Sequence, residues 1–135
     1  MEDNDNIEQP DVKEESPNTK LTESILTSIK KLLGMTEECI DFDSDIIMHI
    51  NTVLMILNQL GVGEEGFQIE DKEAVWEDFI TKDDNLGGIK SYIHLKVRLM
   101  FDPPLNSAIL EAMKESIREL EWRLNVRAES NERGI

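Results

Sequence analysis

From Leu21 onward the apolar residues recur at the three- and four-residue spacing of one helix face. Ile25, Ile29 and Leu32 form the first stripe, with Thr22 placed to cap it and Gly34 to end it, predicting a helix over about residues 22–33. Asp41, Asp43, Ser44 and Asp45 then put acids and a capping serine ahead of Ile46, Ile50, Val53, Leu54, Leu57 and Leu60. That run predicts a second, longer helix over about residues 44–60, stopped by Gly61.

Between Val62 and Lys72 glycines and acids outnumber apolar residues and no alternation is sustained, so the stretch reads as a loop and a place for specificity. Asp71 as a cap and Val75, Trp76 and Phe79 one turn apart predict a short helix over about residues 72–80, broken by the polar run from Thr81 to Asn85. Ile89, Tyr92, Ile93, Val97 and Met100 mark another helix over about residues 86–100. Asp102-Pro103-Pro104 ends it, because proline disfavours helical geometry before it and lacks a backbone donor. The short turn makes its neighbour antiparallel, a final helix over about residues 106–127. There Ile109, Met113, Ile117, Leu120 and Leu124 are inward, and Glu111, Lys114, Glu115, Arg118 and Glu119 are solvated. The expected fold is all-α, a small bundle of four to five helices.

Composition adds a boundary at each end. Residues 1–20 hold seven acids, two lysines and two prolines but only Met1, Ile7 and Val12 as apolar side chains, so they read as a disordered acidic arm. The helical domain is then 21–128, with 129–135 as a flexible tail. The whole chain carries a formal charge of −15, and removing the arm's −5 leaves −10 on the remainder, so the domain surface is itself acidic. Such a balance argues against clustered-cation binding of free nucleic acid. No apolar run nears the roughly 20 residues that span a bilayer, and no secretory signal is expected at the N-terminus. The single Cys39 points to a reducing compartment.

Candidate chemistry is sparse. Asp41, Asp43 and Asp45 imitate the opening of a calcium loop, but the required glycine and glutamate positions are Ile46 and Thr52, so helix capping explains them better. Gly88-Ile89-Lys90-Ser91 lacks the Gly-Lys pair and preceding strand of a phosphate loop. Cys39 and His49 could be imagined as a nucleophile and base, yet nothing supplies an orienting group, and a structural thiol is the simpler reading. His94 reads as a packing or surface histidine. No catalytic residue, cofactor or metal is expected.

Trp76, Phe79, Trp122 and Arg123 stand out as partner-binding candidates, since Trp and Arg are enriched in interface hot spots. Trp122 falls roughly half a turn off the Ile117-Leu120-Leu124 stripe, at about 100° per residue, on an outer contact face or in a second buried layer. Arg123, Arg127 and Arg133 make the C-terminal end the least acidic part of the chain.

Several segments together resemble the head-tail connector (adaptor) proteins of tailed bacteriophages. They are Ile29-Lys30-Lys31-Leu32-Leu33-Gly34, the helix from Asp43 to Leu60, Ser91 through Pro104, and Glu121-Trp122-Arg123-Leu124-Asn125. The most specific are Lys96-Val97-Arg98-Leu99-Met100-Phe101-Asp102-Pro103-Pro104 and the Glu-Trp-Arg-Leu-Asn segment, and the likeness covers about residues 22–128. The resemblance implies a non-enzymatic virion protein assembled in the host cytoplasm as a ring of about twelve copies. The ring would lie beneath the portal protein and above a further head-completion, stopper or tail protein, with double-stranded DNA passing through unbound. It also implies that Trp122, Arg123 and Arg127 lie near the portal contact. The acidic arm is a departure from the family pattern. From charge alone, the competing reading is an acidic helical binding module or DNA mimic that occupies a cationic groove.

Overall fold

The computed structural model describes residues 20–81 and 85–132, so the expected arm, apart from Lys20, and the end of the expected tail lie outside it. Four helices are present: α1 (Ile25–Leu32), α2 (Asp43–Gln59), α3 (Leu86–Phe101) and α4 (Ser107–Glu132). α3 packs against the other three. The start of α2 meets the end of α3 through the Phe42 and Phe101 rings, 5.5 Å apart and edge to face, so these helices are antiparallel. The Pro103-Pro104 turn reverses the chain again, and the Asn106 side chain accepts from the N–H groups of Ala108 and Ile109 to open α4. The expected all-α bundle of four to five helices is what forms, with these four α-helices among the described residues.

α1 and α2 end in the same way. Gly34 and Gly61 take φ of +86° and +89°. The next residue's N–H reaches back in each case, from Met35 to the Lys30 carbonyl at 2.9 Å and from Val62 to Leu57 at 2.8 Å. These are Schellman closures, which an L side chain at the glycine would strain. At the other end of α1 the cap is Ser24 rather than Thr22: its Oγ accepts from Thr27 N–H at 3.1 Å. α4 runs to Glu132 instead of ending near residue 127, because its last turns have a neighbour. Asn125 donates to the Leu60 carbonyl at 3.1 Å, and Ala128 lies over Gly61.

The predicted helix at 72–80 is absent. Only a 3-10 turn forms, Trp76–Asp78. Its approach is extended because the backbone pairs with the lead-in to α1: Ser24 and Val75 form an antiparallel bridge. Ile25 N–H donates to Ala74 at 3.0 Å and Trp76 N–H to Glu23 at 3.2 Å. The spacing of Trp76 and Phe79 reflects burial, and not a helix: Trp76 is fully buried, donating its indole N–H to Ser28 Oγ at 3.1 Å, and Phe79 is buried too, while Val75 is only half-buried.

The loop after Gly61 is fixed by two asparagines on one face of α2. Asn51 exchanges both bonds of its amide with the backbone of Ile69, at 3.0 and 2.8 Å. Asn58 donates to the carbonyls of Val62 and Glu64 and accepts from Gly66 N–H. Buried Val62 and Ile69 complete the seal. Gly63 sits at φ +83° against Phe79, so that a Cβ built there would collide with the edge of the ring at Cε1 and Cζ.

Lys30 is the one charged residue buried among the described ones. Its ammonium lies 2.8 Å from Asp43 Oδ1 and donates to the Glu37 carbonyl at 3.2 Å, tying the end of α1 to the start of α2. Removing one partner would strand the other, which is the costly outcome for a buried charge. His94 on α3 has a buried Nε2 without a hydrogen-bond partner. Burial, and then the neighbouring Arg98, hold its imidazole below the ordinary 6.5.

Two stability measurements follow from these contacts. In urea unfolding, Gly63→Ala should cost about 3 kcal/mol, from left-handed strain plus the collision with Phe79. Gly66→Ala, at φ +77° in open space, should cost about 1 kcal/mol; equal losses would show that the Phe79 contact is unimportant. For His94, the unfolded chain takes up a proton before the folded one does. Its contribution is therefore complete above pH 6.5 and declines as pH falls from 6.5 towards the depressed folded value. His94→Gln should flatten that part of the stability profile, and an unaltered slope would assign it to other groups.

Candidate functional site

Among the described residues no group of three or more His, Cys, Asp or Glu side chains could hold a metal, and no helix is long and apolar enough to cross a membrane. Asp43, the middle member of the calcium-like triplet, is engaged by Lys30. His49 packs against Phe101, with ring centroids 6.4 Å apart, and Cys39 is half-buried in the connection between α1 and α2. What the surface does offer is apolar area.

The first such surface is the outer face of α4. Its inner face is anchored by Ile117 and Leu124 in the core and by Glu121, which accepts from the Tyr92 hydroxyl at 2.6 Å with Lys96 3.9 Å away. Burial, helped by the Glu121 carboxylate, pushes the Tyr92 hydroxyl above its ordinary range, so it remains a protonated donor. With Glu121, Leu124 and Asn125 turned inward, Trp122 and Val126 must point outward. Trp122 is 66% exposed, an unusual position for so large an aromatic surface. Arg118 and Arg123 flank it, held by Glu115 at 2.6 Å and Glu119 at 2.7 Å.

The second surface lies on α2. Met48 and Met55, two turns apart and more than half exposed, border an open groove of about 520 Å³. Its far wall is Gly66, Phe67 and Gln68, the loop segment held by Asn51 and Asn58. No charged residue lines this groove. A smaller apolar group, Ile40, Phe42 and Leu105, is exposed where α2 begins and α3 ends.

Of the partner-binding candidates, the fold brings Trp122, Arg123 and Arg127 onto the exposed part of α4. Trp76 and Phe79 are corrected: both are core side chains, closing the bundle over α1 and the loop after α2, and neither is available to a partner. Arg133 lies outside the described residues. The methionine groove was missed. Its signal was present as two methionines seven residues apart on the side of α2 opposite the Ile46-Ile50-Leu57 stripe.

A family model described as "Phage connector protein" matches residues 25–131, all but the last residue of the four-helix unit. No curated protein and no solved structure matches the chain.

The two tryptophans should separate cleanly on substitution. Trp122→Ala should leave the thermal unfolding free energy within about 0.5 kcal/mol of the parent, whereas Trp76→Ala should remove about 3–5 kcal/mol. A large loss at Trp122 in circular dichroism melts would mean that it packs within the subunit.

Proposed function

The chain belongs to the phage connector protein family, a family of structural virion components, and we propose that it is a head-tail connector that assembles as a ring beneath the portal. The ring would contain about twelve copies, as closed cyclic assemblies of one surface repeated around an axis. One side would meet the portal protein and the other the next head-completion, stopper or tail protein. The observation that carries this reading is the family match across all four helices.

The surface supports the same reading. Trp122 with Val126 on α4 and the methionine groove on α2 give one subunit two separate apolar faces, as membership of a multi-neighbour assembly requires. The formal charge of −15 per chain makes a ring lumen negative, so that it repels phosphate and lets double-stranded DNA slide without specific binding. Like charge on every copy also opposes spontaneous association, favouring assembly on a template such as the portal.

Mass by light scattering, first on the purified protein and then with the portal protein of the same phage, tests the assignment. A multi-copy complex with the portal is the expected result. A small species indifferent to the portal would overturn it in favour of an acidic binding module. In the assembled virion, replacing lumen acids with lysine should slow genome release; unchanged ejection kinetics would remove the electrostatic part of the reading.

A further inference from the structure

We propose that the outer face of α4 in one subunit, led by Trp122, seats in the methionine groove of α2 in the next copy of the same chain. The inference rests on the ring reading above and supplies its subunit interface. It begins from a mismatch within one molecule. Trp122 and Val126 form a convex apolar ridge, while Met48, Met55 and Phe67 border a concave apolar groove of about 520 Å³. Both lie on sides of their helices turned away from the common core, so one subunit cannot join them. Neighbouring copies can, and a ridge meeting a different surface gives the head-to-tail contact from which rings close.

Charge selects a second copy over other occupants. The groove has no charged lining, so an indole can enter without stripping water from an ion. Its loop wall is bordered by Glu64, Glu65, Glu70 and Asp71, all exposed, against Lys72 alone. Trp122 carries Arg118 and Arg123 beside it, with Arg127 about one turn further along α4. Their ion pairs with Glu115 and Glu119 are exposed and exchange partners at little cost. Residues 118–127 hold three arginines against two glutamates, so on a molecule of net charge −15 this face offers locally opposite charge to the acidic loop wall of a second copy. The methionines suit the socket, being flexible enough to close around an aromatic ring and polarizable enough to favour it.

The test uses the full chain with Cys39→Ser, assembled with the portal protein, and two single-cysteine variants, Val126→Cys and Met55→Cys. With a short thiol-reactive cross-linker, a covalent dimer should form when the two variants are mixed and not with either alone. Trp122→Ala should weaken subunit association at least about tenfold while leaving the circular dichroism melt unchanged, as expected of an interface hot spot. Trp122→Phe should retain most of the association. A multi-copy complex that forms without the cross-link, or that is indifferent to Trp122→Ala, would overturn this interface and leave the ring intact, with the groove then free for a downstream protein. A parent chain that never becomes multi-copy, alone or on the portal, would overturn the ring reading and this interface together.

Discussion

Residues 60–81, after α2, have only one 3-10 turn and one bridge of regular structure to satisfy their backbone, yet must bury Val62, Ile69, Trp76 and Phe79. Unpaired amides under that much apolar surface would cost more than the burial returns. The solution is side-chain amides and a borrowed bridge. Asn51 and Asn58 take the first half of the segment onto α2, Glu64 N–H reaches the Phe79 carbonyl at 2.8 Å, and the lead-in to α1 pairs with Ala74 to Trp76. Because the same asparagines set the position of Gly66 and Phe67, the wall of the groove on α2 is as fixed as the core beneath it.

Charge imposes the second constraint. A subunit this acidic keeps its interior nearly free of ions, admitting only Lys30 among the described residues, and uses that ion where two helix ends must be joined. The Asp43 carboxylate thereby serves both the amino-terminal dipole of α2 and the ammonium from α1. The remaining ion pairs are more exposed, along α4 and between helices, and contribute little individually. The domain therefore holds together through its apolar core and backbone closures.

The helices were legible because their signals are local. Gly34, Gly61 and the Pro103-Pro104 pair mark ends by backbone geometry that needs no tertiary context, and the stripes of α2 and α3 follow burial in the common core. The segment at 72–80 misled because Val75, Trp76 and Phe79 have a helix-like spacing for a different reason. Trp76 and Phe79 face the core from a single 3-10 turn that follows an extended approach, and Val75 lies in that approach, bridged to Ser24, which lies far away in sequence. Long-range pairing of that kind has no signature in periodicity. The same holds for Lys30, whose burial depends on Asp43 and the Glu37 carbonyl folding back over it. On the outer surfaces, the half-turn offset of Trp122 was readable, but the groove was not. It needs the loop laid along α2, and that placement is decided by two asparagines whose role appears only once their partners are known.

An exposed tryptophan on a rigid anchor and a preformed groove differ from a mobile apolar patch in what association costs them. Tyr92 and Asn125 hold α4 on either side of Trp122, and Asn51 and Asn58 hold the groove wall, so little backbone order remains to be lost on contact and the cost falls on the exposed side chains. Preorganisation favours binding, while like charge on every copy opposes it. On the proposed ring reading, a subunit balanced between the two would stay dispersed when dilute and associate where a template raises its local concentration. Control of assembly would then be a property of the surface, without a switch inside the fold.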